Sequence, residues 1–143
     1  MDTPRFRDPQ IRIQDFADEP ILVLCPRCAD RASVTASRLT CPACGLVREN
    51  PLPDFHAWNR PIDPFFHEPL WLRADCRGGN TLWAFHESHL DLIERFVAAK
   101  LRERGLGDSP GMTLVARLPS WMTAAKNRDE VLRAITKLRA TLS

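Results

Sequence analysis

The sequence predicts an α+β fold, in which a cysteine-bearing, β-rich N-terminal segment and a β-hairpin pack with C-terminal helices. Three observations predict it. Four cysteines fall in two C-x2-C pairs, with short β-prone runs before and between them. Two further β-prone runs flank the Gly78-Gly79 pair. Two later segments repeat apolar residues at the spacing of one helix face.

The elements follow in chain order. Residues 1–20 are rich in Asp, Arg and Pro and read as an extended segment, with Ile11, Ile13 and Phe16 as its apolar points. Ile21-Leu22-Val23-Leu24 is β-prone and leads into the first cysteine pair. Ser33-Val34-Thr35 and Arg38-Leu39-Thr40 are strand candidates between the pairs. From Asn50 to Pro69 stand Pro51, Pro53, Pro61, Pro64 and Pro69, a density that excludes a helix or a central strand. Phe55, Trp58, Phe65 and Phe66 lie in the same stretch, so it is expected to be an ordered, packed loop. Leu70–Ala74 and Thr81–Phe85 then form the hairpin around the glycines.

The remainder is helical. Ser88-His89-Leu90-Asp91 has the capping-box pattern, so the first long helix is expected to begin at Ser88. Leu90, Ile93, Val97 and Leu101 form its apolar stripe, widened by Phe96, and Gly105 is its expected stop. A short helix is expected over 112–118, cut by Pro119, with a turn from Ser120 through Trp121 to Lys126. Asn127, with Glu130 three residues later, restarts a helix whose stripe is Val131, Ile135, Leu138 and Leu142.

The most specific motif is Cys25-Pro26-Arg27-Cys28 followed, after 12 residues, by Cys41-Pro42-Ala43-Cys44-Gly45. Zinc takes four tetrahedral ligands, and thiolates at about 2.3 Å satisfy it. Two residues between cysteines let one tight turn aim both sulfurs inward. A glycine after the second cysteine allows a positive φ and frees amides to point at sulfur. The first turn carries Ala29 where the second carries Gly45, which is expected to weaken one turn without altering the ligand set. Cys25, Cys28, Cys41 and Cys44 are therefore expected to hold one structural Zn2+, with residues 21–48 forming a zinc ribbon. Iron, which four thiolates also bind, is the alternative. A closed four-thiolate site leaves no coordination position for water or substrate, so its role is structural rather than catalytic.

The two cysteine turns resemble the ribbon of small bacterial proteins bearing a TFIIB-type zinc ribbon. Pro69–Arg73, Leu82–Phe85, Leu118–Trp121 and Ala125–Arg128 are similar to downstream stretches of the same family. The resemblance spans about residues 21–142 and implies the ribbon fold and its zinc.

At 143 residues and 16.3 kDa the chain suits one domain burying roughly 68–70% of its unfolded surface. Residues 70–143 are expected to form one compact unit with the ribbon, joined through the 49–69 loop. The longest apolar run is five residues, Ile21–Cys25, against the ~20 of a membrane helix. No apolar stretch follows Met1-Asp2-Thr3-Pro4-Arg5, so no secretory signal is expected and the location is expected to be cytoplasmic. Reduced, metal-binding cysteines fit that compartment better than disulfides.

Net charge is +2, distributed as −2 over residues 1–24, +3 over 25–48, −5 over 49–94 and +6 over 95–143. Two basic segments separated by an acidic one do not make a chain-wide polyanion binder. His86-Glu87-Ser88-His89 is not the zinc-hydrolase pattern, because the histidines are three apart rather than four. They read as two polar residues where a helix begins. Cys76 is an odd thiol with no histidine fixed beside it, and no nucleophile elbow, phosphate loop or carboxylate pair is present. No enzyme and no small-molecule substrate are expected. Trp71 and Trp83 are expected in the core, while Trp58 and Trp121 are candidate interface anchors. Arg133 and Lys137 point away from the last helix's stripe and complete the candidate partner-binding set. The expected function is binding of a protein partner, as an adaptor or toxin-neutralising immunity-type protein. The alternative is a nucleic-acid-binding accessory factor using Arg27, Arg31, Arg38, Arg48 and the last helix.

Overall fold

A computed structural model describes residues 19–35, 38–54, 60–98 and 120–142. The segment 1–18, Trp58, Leu101, Gly105 and the short helix expected over 112–118 lie outside the described residues.

Four short strands build the ribbon: β1 Ile21–Leu24, β2 Arg31–Thr35, β3 Arg38–Thr40 and β4 Val47–Glu49. They form one antiparallel sheet in sequence order. Alternation sets its buried face: Ile21, Val23, Ala32, Val34 and Leu39 point inward and are almost fully covered. Register pairs Ile21 with Val34 and Val34 with Leu39, so the buried residues stack across three strands. β4 was not foreseen. All three of its residues are exposed, so no apolar alternation marks it; pairing with β3 makes it a strand.

A second, two-stranded sheet is the foreseen hairpin, β5 Leu72–Cys76 and β6 Asn80–Ala84. Its turn passes through Gly78 at φ +75 and Gly79 at φ +74, a left-handed pair that side-chain-bearing residues adopt at a cost. The two sheets meet at the outer edge of β1. Leu22 donates its amide to the Phe85 carbonyl at 2.7 Å, Trp71 donates to the Leu22 carbonyl at 2.9 Å, and Leu24 donates to the Pro69 carbonyl at 2.9 Å. An edge strand that would otherwise show bare amides to water is thereby closed.

The proline-rich stretch holds its order through Asp63, which is fully buried. Its carboxylate accepts the amides of Phe65 at 2.9 Å, Phe66 at 2.6 Å and Glu68 at 2.7 Å. Phe65 and Phe66 are thereby set against the core, as an ordered loop requires.

Helix α1 spans Glu87–Ala98 and buries Leu90, Leu92, Ile93, Phe96 and Val97, together with His89. The capping box expected at Ser88 does not form. The helix begins one residue before Ser88, and the cap is His86, whose Nδ1 accepts the His89 amide at 3.3 Å. The Ser88 hydroxyl donates instead to Glu19 at 2.9 Å.

A single turn, α2 Ser120–Thr123, precedes α3 Arg128–Ala140. Asn127 stands at the N-cap of α3 as expected, but its side chain does not cap: Nδ2 donates to the Trp121 carbonyl at 2.8 Å. Val131, Ile135 and Leu138 are buried and Leu142 packs against the core, so the foreseen stripe holds.

Helix α3 lies against α1 and β5. Arg139 joins the two helices through Glu94, at 2.9 Å, and Asp91. At its C-terminal end Thr141 accepts Trp71 Nε1 at 3.0 Å through its hydroxyl and Arg31 Nη1 at 3.3 Å through its carbonyl, tying helix, hairpin and ribbon together.

Candidate metal centre

The four ribbon cysteines converge. Their sulfurs all lie within 4.8 Å of one another, with Cys25 to Cys44 and Cys28 to Cys41 each at 3.6 Å. A tetrahedral ion about 2.3 Å from each thiolate places neighbouring sulfurs about 3.8 Å apart, so the cluster has the size of a four-thiolate metal site. Among the described residues no other group of three or more Cys, His, Asp or Glu side chains is so arranged.

Both turns reach this arrangement by the same backbone path. Cys25 donates its amide to the Asp30 carbonyl at 2.8 Å, and Cys41 to the Leu46 carbonyl at 2.9 Å. Ala29 donates back to the Cys25 carbonyl at 2.9 Å, and Gly45 to the Cys41 carbonyl at 2.8 Å. The residue after each second cysteine is left-handed: φ is +64 at Ala29 and +79 at Gly45. The first turn thus adopts the glycine conformation without a glycine.

The turn also aims amides at sulfur. Arg27 and Cys28 direct their N–H groups at Cys25 Sγ, at 3.4 and 3.5 Å. Burial pushes the Cys25 thiol up, but these amides and the neighbouring thiols of Cys44 and Cys28 outweigh it and bring it down to about 6. At Cys28 the Asp30 amide favours the thiolate. Burial and the sulfurs of Cys41, Cys44 and Cys25 oppose it and push that thiol up to about 12. Acids crowded around one point divide in this way: one gives up its proton early and leaves the next to hold on. A central cation removes the conflict and lets all four ionise.

Cys25 and Cys41 are buried, Cys44 is half-buried and Cys28 is exposed, so the cluster lies at the rim of the core. None of the five cysteines forms a disulfide.

The other sequence candidates fall elsewhere. Cys76 is half-buried at the end of β5, where burial and the Glu130 charge raise its thiol, which opposes a reactive thiolate. His86 and His89 stand where α1 begins, as expected, and both are buried. His89 Nδ1 accepts the Phe85 amide at 3.0 Å, and its ring meets Trp83 edge-on with centroids 5.7 Å apart. Burial, and then His86, lower its pKa to about 3, so the ring is a neutral acceptor inside the core. Trp71 and Trp83 are half-buried against the core rather than within it.

Of the partner-binding candidates, Trp58 lies outside the described residues. Trp121 is half-buried beside the hairpin turn, and Arg133 and Lys137 are exposed on α3. Arg133 and Lys137 share a shallow apolar depression with Leu132 and Thr136, whereas Trp121 lines a separate cavity. The structure therefore does not unite the four into one site. Sequence reasoning missed the other walls of that cavity, Arg77, Asn80, Lys126 and Asn127. No local pattern could have found them, because the hairpin turn and the residues before α3 are brought together only by packing.

No family model, no curated protein and no solved structure matches the chain.

Proposed function

We propose that this protein is a non-enzymatic, cytoplasmic zinc-ribbon scaffold that binds an acidic protein partner through the exposed side of α3. Zinc is the ion the cluster suits. Four sulfur donors within 4.8 Å of one another, two pairs of them at 3.6 Å, with two amides aimed at Cys25 Sγ, suit a four-thiolate structural zinc site. Five unpaired thiols fit a reducing compartment.

The observation that carries the partner reading is the contrast among the cations of α3. Arg139 is consumed by Asp91 and Glu94. Arg133 and Lys137 make no ion pair among the described residues and flank a surface depression formed with Leu132 and Thr136. Apolar contact bordered by free cations is the make-up of an interface that recognises an acidic protein surface. An adaptor or a neutralising partner needs no more chemistry than this.

One observation favours nucleic acid as a second reading. Successive turns of α3 carry Arg133 and Lys137 toward Thr141, whose carbonyl binds Arg31 of the ribbon. One ribbon cation, Arg31, thus stands at the C-terminal end of α3, four residues beyond Lys137.

The double variant Arg133→Glu with Lys137→Glu tests both, since neither residue lies on the buried stripe. Co-purification from the native host is expected to recover a protein with the wild-type chain and lose it with the variant. Gel shifts with single- and double-stranded DNA and RNA are expected to show nothing tighter than about 1 µM at physiological salt. Tight nucleic-acid binding that the double variant abolishes, and that falls by roughly 1000-fold between about 50 and 200 mM salt, overturns the protein-partner reading.

A further inference from the structure

A cavity of about 510 Å³ opens between the hairpin turn and the segment that leads into α3. We infer that it is a binding site for a nucleotide 5′-phosphate unit, with Trp121 stacking on the base and Arg77 and Lys126 holding the phosphate. This site is separate from the α3 surface assigned above and goes beyond that reading.

The volume falls in the range of small-ligand sites. One wall is aromatic. Trp121 is half-buried against the core and lines the cavity, and every base offers a π-face to an indole so placed.

The opposite requirement, charge, comes from two elements. Arg77 belongs to the hairpin turn and Lys126 to a 3-10 turn, Ala125–Asn127, that follows α2 and leads directly into α3. Both are exposed, and neither side chain makes a hydrogen bond or ion pair among the described residues. Glu130, the nearby acid of α3, accepts the Arg77 backbone amide at 3.1 Å and forms no ion pair with its guanidinium among the described residues. Two cations approaching from different elements suit a dianionic phosphate better than a singly charged carboxylate.

The walls are also fixed in place. Asn80 Nδ2 donates to the Arg77 carbonyl at 2.8 Å, and Asn127 Nδ2 donates to the Trp121 carbonyl at 2.8 Å. Each amide is thereby held by the residue it must position, one under the arginine and one under the tryptophan. Both line the cavity and have an oxygen available to accept from a base or a ribose hydroxyl.

Titration of the full-length, zinc-loaded chain with adenosine 5′-monophosphate, adenosine and inorganic phosphate, followed by tryptophan fluorescence and calorimetry, tests the inference. The monophosphate is expected to bind with Kd below about 1 mM, and adenosine about tenfold more weakly or worse. Arg77→Gln with Lys126→Gln is expected to weaken the monophosphate by about tenfold or more and to leave adenosine unchanged. Trp121→Phe is expected to retain binding through its own ring, and Trp121→Leu to weaken both ligands by about tenfold. The exposed cation pair keeps the test decisive even if Trp121→Leu disturbs folding. A 5′-phosphorylated oligonucleotide set against its 5′-hydroxyl counterpart separates a strand terminus from a free nucleotide as the source of the phosphate. The inference is overturned by the absence of saturable monophosphate binding, by adenosine binding equally well, or by affinity that survives loss of both cations. Arg133→Glu with Lys137→Glu is expected to leave nucleotide affinity unchanged, so failure here and failure of the partner reading are told apart.

Discussion

The ribbon and the hairpin–helix half hold their shape by different means. In the ribbon, strands of three to five residues bury one face only, and β4 buries nothing. Its apolar contribution is Ile21, Val23, Ala32, Val34 and Leu39, small or single-face residues. In the other half, α1 alone buries five apolar side chains and a histidine, and α3 adds three more along a continuous stripe. Short strands with one covered face bury too little apolar area to offset the ordering of their own backbone. A helix pair on a hairpin does not have that deficit. The difference locates the need for a cross-link: the cysteines lie where the core is thinnest.

The largest expected effect breaks the ribbon and spares the rest. Purified protein is expected to carry about one zinc per chain. Chelation, or Cys28→Ser, removes a binding free energy that in zinc peptides is of order 10–16 kcal/mol. Hydrogen exchange is expected to show β2, β3 and β4 losing protection while α1 and α3 keep theirs. Metal-free protein with full ribbon protection, or elemental analysis without a metal, refutes the comparison.

Acid acts on the other half through His89. Its folded pKa, about 3, lies below the ordinary 6.5, so below pH 6.5 the unfolded chain takes up a proton that the folded core refuses. Stability is therefore complete above about pH 6.5 and falls as pH drops toward 3, by up to about 1.4 kcal/mol per unit. Denaturant melts at saturating zinc are expected to show a shallower pH slope for His89→Gln than for the wild type. Equal slopes would remove His89 as the acid-sensitive group.

The smallest effect compares the two cysteine turns themselves. A Cβ added at Gly45 meets nothing within 4 Å, so Gly45→Ala carries only the strain of a left-handed backbone less the chain entropy that alanine saves, about 0.5 kcal/mol net. Ala29→Gly relieves the same strain and is expected to stabilise by about 0.5 kcal/mol after the entropy of glycine is counted. Thermal melts of the single and double variants are expected to show opposite shifts that largely cancel. Shifts of the same sign would mean that the turns are not equivalent.

Much of this molecule was legible before any coordinates. The cysteine spacing determined two tight turns and one cluster, because the geometry of C-x2-C is local. The paired glycines determined the hairpin, and the 3.6-residue period of Val131, Ile135 and Leu138 determined which side of α3 is buried. These signals lie within a few residues of what they specify. The tertiary structure decided the rest. β4 exists because β3 lies beside it. His86 rather than Ser88 caps α1, and His89 is a buried acceptor because the Phe85 amide and the Trp83 ring close over it. Asp63 organises the proline-rich loop by collecting three amides, and the Trp121 cavity joins residues some 45 positions apart. A polar side chain takes the strongest partner that packing brings within reach. For Ser88 and Arg31 the chain's course through space sets that partner, and their near neighbours in sequence do not.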